Sequence, residues 1–429
     1  MEQTPNTPLA PRQITQGPRP LPLLMAIQTM TWLTSSAALS ALKNGSINWR
    51  PEVAQAASAL EKELEKKLGN KPGGANPDAF AEAVARQTRT RLGGFADGVA
   101  TYRRLRRPAR PSDPPVIWRH GAARLFDYGA PTNKAKAGEY GKPLLVVPSL
   151  VNRSYILDLL PGLSLMRYLA GRGFRPLLLD WDWPGESELE YGLDDYIGGV
   201  LEDALTAVNT ICGRQPSLIG YCMGGNLAVA LAGRRPDDVS SLVLMATPWD
   251  FHTADGTQMV GIKAMRPGLE ALLGAIGFLP VDVLQSLFVG LDPYLPVRKF
   301  RRFARLDKRS RRARHFLALE DWLNDGVPLA AQVARQCLFD WYLANATMNE
   351  TWTVGGRAVR AGEVATPTLV IIPAKDYIVP PASARPLADR IPGAESWTLA
   401  AGHIGMVAGS RAPKMLYEPL ARWLESRAY

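Results

Sequence analysis

The stretch Gly220-Tyr221-Cys222-Met223-Gly224-Gly225 constrains this chain more than any other. A short apolar run, Ser217 to Ile219, leads into it, and a helix-length stretch, Gly225 to Arg234, follows it. Small residues on both sides of a reactive side chain mark a sharp strand-to-helix turn, where backbone crowds backbone and only glycine fits. Such a turn puts the sulfur of Cys222 at a helix N-terminus, whose dipole favours a thiolate. Taken alone, the stretch also fits a buried structural cysteine beside a glycine-rich turn. The distant parts of the sequence separate the two readings.

Around this turn, short apolar runs that end in turn residues alternate with helical patterns. Leu144 to Val147 ends at Pro148, Pro176 to Leu179 ends at Asp180, and Leu242 to Met245 precedes Ala246-Thr247-Pro248. Between them, Leu157 to Gly171, Leu193 to Cys212 and Gly225 to Arg234 have helix length. Uninterrupted apolar strands alternating with helices predict a mostly parallel sheet covered on both faces. The pattern lapses between about residues 251 and 355, which read as helical. It returns with Thr368 to Ile372 and Ser396 to Leu399, and a helix from Pro413 to Arg427 closes the chain.

The returning part carries two further signals. Asp376 follows the late strand Thr368 to Ile372, and His403 follows the last strand within Ala401-Gly402-His403-Ile404-Gly405. Asp376 lies 154 residues after Cys222, room for a helical insertion, and His403 lies 27 residues after Asp376, about one helix and one strand. Nucleophile, acid and histidine in that order, each at the end of a strand, match the chain order of the α/β-hydrolase triad. The expected roles follow. His403 takes the Cys222 proton, Asp376 fixes the imidazole, and two backbone N–H groups hold the oxyanion. One of these should be Met223, next to the nucleophile. The other should come from Ser149-Leu150-Val151-Asn152, with Val151 the choice.

Composition limits the alternatives. The chain has 429 residues, 46% of them apolar and 21% charged, so global disorder, collagen and coiled coil are excluded. Three cysteines do not make a disulfide framework, and four histidines without CxxC or HExxH give no expectation of a metal site. Cys212 and Cys337 read as buried and inert, and His120, His252 and His315 as structural or solvated. The simplest organisation is an accessory helical region at 1–115 ending in a Pro-rich linker, an α/β core in two parts at 116–250 and 356–429, and a helical cap inserted at 251–355.

Two features lie outside that scheme. Leu21 to Leu42 approaches the length of a membrane span, but Gln28, Pro22 and several Ser and Thr lower its hydropathy. A helix packed on the main domain is the expectation, with association with a membrane or other hydrophobic surface as the alternative. No secretory signal is read in the Pro-rich, polar start of the chain. The run Arg298 to Arg314 holds ten basic residues and one Asp, so it carries +9 of the chain's net +10. It reads as a solvated face of the cap, as a site for coenzyme A phosphates or an anionic surface, or least favourably as a nucleic-acid site, since no nucleic-acid motif accompanies it.

Several stretches together resemble the catalytic domain of polyhydroxyalkanoate (poly-3-hydroxybutyrate) synthases, most of all the short catalytic subunit of the two-component enzymes. They are Leu150 to Asp158, Leu179 to Pro184, Leu193 to Ile197, the cysteine turn ending in Gly224-Gly225, Glu320 to Asp325 with Pro328, Asp376 to Pro380, and Gly402 to Gly405. The resemblance covers about two thirds of the chain. It departs from the family at Tyr377, where His is frequent, and residues 1–115 have no counterpart in the short subunits. The resemblance implies an α/β-hydrolase fold with a cap over the site. It also implies a cytoplasmic acyltransferase, associated with polyester granules, that takes (R)-3-hydroxyacyl-coenzyme A, releases coenzyme A and extends a polyester, with no cofactor. A hydrolase on the same scaffold, a polyester depolymerase or acyl-coenzyme A thioesterase, is the alternative, and a non-catalytic granule-surface or membrane protein is a third. A homodimer, an accessory synthase subunit and a granule or membrane surface are the partners left open.

Overall fold

A computed structural model of the chain describes residues 17–43, 51–68, 77–129, 141–253 and 257–427. The stretch Gly69 to Pro77, whose glycine and proline content predicts a loop, lies, but for Pro77, outside them. The chain divides into two compact units. The smaller comprises Thr15–Arg106 and Asp292–Phe316; the larger runs from Arg107 to Leu291 and from Leu317 onward.

The smaller unit contains helices α1 (Leu21–Lys43), α2 (Pro51–Leu68) and α3 (Pro77–Arg104). The basic run belongs to it as well. Its first half forms a helix, Leu295–Ala304, that buries Val297, Phe300 and Phe303 on one side. Phe300 packs edge-on against Phe95 and Tyr102 of α3, with ring centroids 5.9 and 5.7 Å apart. The approach is close: a Cβ at Gly98 of α3 would lie 2.3 Å from the Phe300 carbonyl oxygen. Lys308 closes the helix by donating from Nζ to the carbonyls of Phe303, Ala304 and Leu306 at 2.6–2.8 Å. Leu21 to Leu42 forms the expected helix, and the neighbours found for it are α3 and the 292–316 segment of this smaller unit rather than elements of the main domain.

The larger unit is built on eight strands: β1 (Val116–His120), β2 (Ala123–Asp127), β3 (Pro143–Val147), β4 (Arg175–Asp180), β5 (Ser217–Tyr221), β6 (Ser241–Met245), β7 (Thr368–Pro373) and β8 (Glu395–Leu399). Their order in the sheet is β1-β2-β4-β3-β5-β6-β7-β8. β1–β2 and β2–β4 are antiparallel, and every other pair is parallel. Strands β3 to β7 are buried along their whole length because both faces are covered. Alternate residues enter opposite cores, as the strand period of two requires. Leu145, Leu177, Leu218 and Leu242 face one core, and Leu144, Leu178, Ile219 and Val243 face the other. Each fully buried leucine of this kind contributes about 2 kcal/mol.

Helices α4 (Leu165–Gly171), α5 (Glu202–Cys212) and α6 (Met223–Arg234) follow strands in the first half of the sheet. α7 (Thr257–Ile276), α8 (Val281–Val289), α9 (Leu295–Ala304), α10 (Arg311–Asn324) and α11 (Ala331–Arg335) occupy the stretch that lacks the alternating pattern, and none of the eight sheet strands comes from it. α12 (Pro381–Arg390), α13 (His403–Ala408) and α14 (Glu418–Ser426) complete the fold. α5 and α6 cover one face of the sheet, and α4, α13 and α14 the other. Where β2 ends and β4 begins, Asp127 and Arg175 form a buried pair at 2.7 Å, and Gly129 N donates to the second carboxylate oxygen at 2.9 Å. A buried charge needs such full pairing to be tolerated.

Candidate active site

Cys222 sits between the last residue of β5 and the first of α6, with φ 55° and ψ −129°. A non-glycine residue there carries strain of order 1–3 kcal/mol, held by its surroundings. Cys222 N donates to Met245 O and Gly225 N donates to Cys222 O, each at 2.8 Å. The glycines are demanded by contact. A Cβ on Gly220 would lie 2.5 Å from the Gly225 Cα, and one on Gly225 would lie 1.8 Å from Thr247 Oγ1. A Cβ on Gly224 would meet Val147 O at 2.2 Å and Pro148 O at 2.5 Å. Gly224→Ala should accordingly cost about 3 kcal/mol in denaturant unfolding, since two backbone carbonyls must move. A loss below about 0.5 kcal/mol would mean that the turn has slack, and would sink this account of the motif.

Asp376 follows β7 and is buried. Its Oδ1 accepts from Ile378 N at 2.8 Å and Val379 N at 2.9 Å, which leaves Oδ2 facing His403 Nδ1 at 2.7 Å. His403 opens α13, near enough to Cys222 for the charge of that sulfur to act on its ring. The three residues picked out from the sequence are thus brought together. Burial alone would lower the imidazole pKa. The charge on Cys222, the hydrogen bonds to Asp376 and Cys222 and the carboxylate charge outweigh burial, and His403 is pushed up from 6.5 to about 10. A raised folded pKa means that the stabilisation is complete below about pH 6.5 and is lost as pH rises through about 10. Titration of histidine ring resonances should therefore find one imidazole among the four with a midpoint near 10, falling in Cys222→Ala. A midpoint near 6.5 for His403 would overturn the imidazolium assignment.

Two tyrosines belong to the surroundings that sequence reading missed. Tyr221 is wholly buried, its ring 5.2 Å from that of His403, and its hydroxyl donates to His403 O at 3.4 Å. Burial, then the charges of Cys222 and Asp376, hold its phenol well above the ordinary range. Burial and the Cys222 charge also keep the Tyr342 phenol neutral, and its ring lies 4.8 Å from Phe251. Tyr221 was legible as the neighbour of Cys222; Tyr342 stands in an ordinary apolar stretch with no signal. Cys337 is buried and burial raises its thiol, and Cys212 is half-buried with its thiol raised for the same reason.

The two expected backbone donors differ. Met223 N is the first N–H of α6, where no acceptor exists within the helix. Val151 N already donates to Ser149 Oγ at 3.2 Å, so it reaches an oxyanion only when that hydroxyl turns away. Around Val151, three of the resembling stretches converge. Asn152 bridges Gly326, Val327 N donates to Val151 O at 3.2 Å, and Trp322 Nε1 donates to Arg153 O at 2.8 Å. Arg153 pairs with Asp182 and lies 3.7 Å from Asp325, whose other oxygen accepts from the Tyr155 hydroxyl at 3.2 Å. Ser154 and Arg124 share Asp180 at 2.9 and 2.8 Å. Ion pairs here do not establish strength by themselves; they fix the loop from three directions.

The profile described as "alpha/beta hydrolase fold" matches residues 142–409, more than half the chain. A second, "Poly-beta-hydroxybutyrate polymerase (PhaC) N-terminus", matches residues 111–169. The "Poly(3-hydroxyalkanoate) polymerase subunit PhaC" of Synechocystis sp. is 31% identical over 299 residues, 66% of this chain and 78% of that protein. The chain belongs to the poly(3-hydroxyalkanoate) polymerase family, on the α/β-hydrolase fold. The polymerase subunit of Thiocystis violacea is 27% identical over 360 residues, covering 82% of this chain and 98% of that protein. The polymerase subunit of Haloferax mediterranei is 29% identical over 318 residues, 73% of this chain, and the match spans 64% of that protein's length. Polymerase-family membership agrees with the resemblance read from the sequence and with the strand order found here. No groups of three or more His, Cys, Asp and Glu that could hold a metal are found among the described residues.

Proposed function

We propose that this chain is an acyltransferase that extends a polyester from (R)-3-hydroxyacyl-coenzyme A thioesters. The observation that carries the reading is the buried Asp376–His403 pair at 2.7 Å, with Cys222 close enough to act on the same imidazole, at a strand-to-helix turn in a chain of the polymerase family. The Cys222 sulfur attacks the thioester carbonyl, a carbon–sulfur bond forms, and the bond to coenzyme A breaks. His403 delivers its proton to the departing coenzyme A sulfur. The hydroxyl of a second 3-hydroxyacyl unit then gives its proton to His403, attacks the acyl-enzyme carbonyl and expels the Cys222 thiolate. Asp376 holds the imidazole in the tautomer both steps require. Met223 N, with Val151 N as its partner, is assigned to the oxyanion of each tetrahedral intermediate.

Thiol–thioester exchange is nearly balanced in energy, so the acyl-enzyme stays reactive toward an incoming hydroxyl. This favours transfer over hydrolysis on the same scaffold. The polymerase names of the relatives support a polyester product, and the word subunit in them supports a partner chain. Family membership also supports action in the cytoplasm, at the surface of the growing polymer.

Product analysis tests the reading. Purified protein is incubated with (R)-3-hydroxybutyryl-coenzyme A, and the acyl product is identified by mass spectrometry, with Cys222→Ala as control. Polyester that is absent from the control supports the acyltransferase. Free 3-hydroxybutyrate as the only acyl product would replace it with a hydrolase.

A further inference from the structure

The smaller unit leaves apolar surface in water beside a concentration of positive charge. α1 turns Leu24 and Gln28 inward, yet its outer side is also apolar: Met25 is 43% exposed, Met30 59% and Leu33 54%. A helix that is apolar on every side normally has every side covered. The Tyr294 hydroxyl donates to Thr31 Oγ1 at 3.3 Å, since the Thr31 proton goes to Ile27 O at 2.7 Å, and this ties the helix to the start of α9, where Tyr294 and Leu295 are 47% and 49% exposed. Along α9, Leu295, Arg298, Arg302 and Arg305 recur at helical spacing and are all exposed, while Val297, Phe300 and Phe303 are buried on the other side. Arg298 is paired with Asp292; no carboxylate partner is found for Arg302 or Arg305 among the described residues. The residues of this unit include 23 Lys and Arg against nine acids, a net of +14, which leaves −4 on the remainder of a chain whose total is +10.

We propose that this unit docks on anionic phospholipid surfaces, laying α1 and α9 on the interface. Met30, Leu33 and Leu295 would enter the boundary between headgroups and acyl chains, and Arg302 and Arg305 would meet lipid phosphates. The combination selects the occupant. A nucleic acid would satisfy the arginines and leave the apolar side chains in water, and an uncharged apolar surface would leave the arginines unmatched. No described helix is long and apolar enough to cross a membrane, so the unit lies on the surface.

The test is co-sedimentation of the full-length protein with vesicles of phosphatidylcholine alone and of equal parts phosphatidylcholine and phosphatidylglycerol. Binding to the anionic vesicles, weakened by salt and weak on phosphatidylcholine, is expected. Arg302→Glu with Arg305→Glu should reduce it by roughly 30-fold or more, and Met30→Ser with Leu33→Ser by roughly 10-fold. Both pairs are solvent-facing, and equal thermal midpoints check their folding. If a pair unfolds early, the single changes Arg305→Ser and Leu33→Ser take its place. Absence of binding to anionic vesicles overturns the proposal, and so does equal binding to both vesicle types. Full retention of binding by the serine variant, together with displacement by a duplex oligonucleotide, would reassign the surface to nucleic acid.

Discussion

Cys222→Ala should abolish release of coenzyme A from (R)-3-hydroxybutyryl-coenzyme A, by at least ~10⁴-fold, while the protein remains folded. Removing the nucleophile of a covalent mechanism costs about as much as removing the whole catalytic set. The side chain is half-buried and its backbone strain is imposed by neighbours, so truncation to alanine leaves the turn standing. The measurement is thiol release with a chromogenic disulfide, beside a thermal unfolding curve. Retention of more than about one part in a hundred of the wild-type rate would exclude Cys222 as nucleophile, because binding and oxyanion donors alone do not supply that much.

Asp376→Asn should lower the same rate by roughly 10³- to 10⁴-fold. The amide oxygen can still accept from Ile378 N and Val379 N, so the loop after β7 keeps its shape. The amide nitrogen would then face His403 Nδ1, now 2.7 Å from a carboxylate oxygen. The imidazole must protonate on its other nitrogen to avoid two donors meeting, and it can no longer accept the Cys222 proton. Losing the carboxylate also removes part of what raises the His403 pKa, so the histidine titration should move down with the rate. An unchanged rate would mean that His403 is oriented by something else. A lost rate with an unchanged titration would separate orientation from charge.

The parallel centre of the sheet was legible because β3 to β7 are apolar on both faces, which leaves little else for such short runs to become. The β1–β2 hairpin was not, since Arg119, His120 and Arg124 interrupt it and its edge position demands no apolar run. Leu157 to Gly171 reads as one helix, yet only Leu165–Gly171 is helical. Pro161-Gly162, with Gly162 at φ +80°, turns the earlier part into a short hairpin. Cys222, Asp376 and His403 could be picked out because each stands at a strand end, where the fold dictates position. Val151, the expected second backbone donor, could be assigned only to a loop, because its engagement with Ser149 depends on a side-chain rotation that no spacing encodes. The fold neighbours of the basic run were hidden for another reason. Phe300 reads as an ordinary member of a charged stretch until Gly98, some 200 residues earlier, is seen to make room for it.

The joint between residues 151–155 and 322–327 has a consequence for how such chains diversify. Main-chain bridging at Asn152–Gly326, the Val327–Val151 hydrogen bond and the Trp322 contact to Arg153 make two distant stretches a single structural part. A graft that exchanges residues 317–355 between relatives, leaving the recipient's 149–155 in place, imports one half of a matched seam. Chimeras made at this boundary should keep their activity only when both stretches travel together, and natural variation in either one should be mirrored in the other.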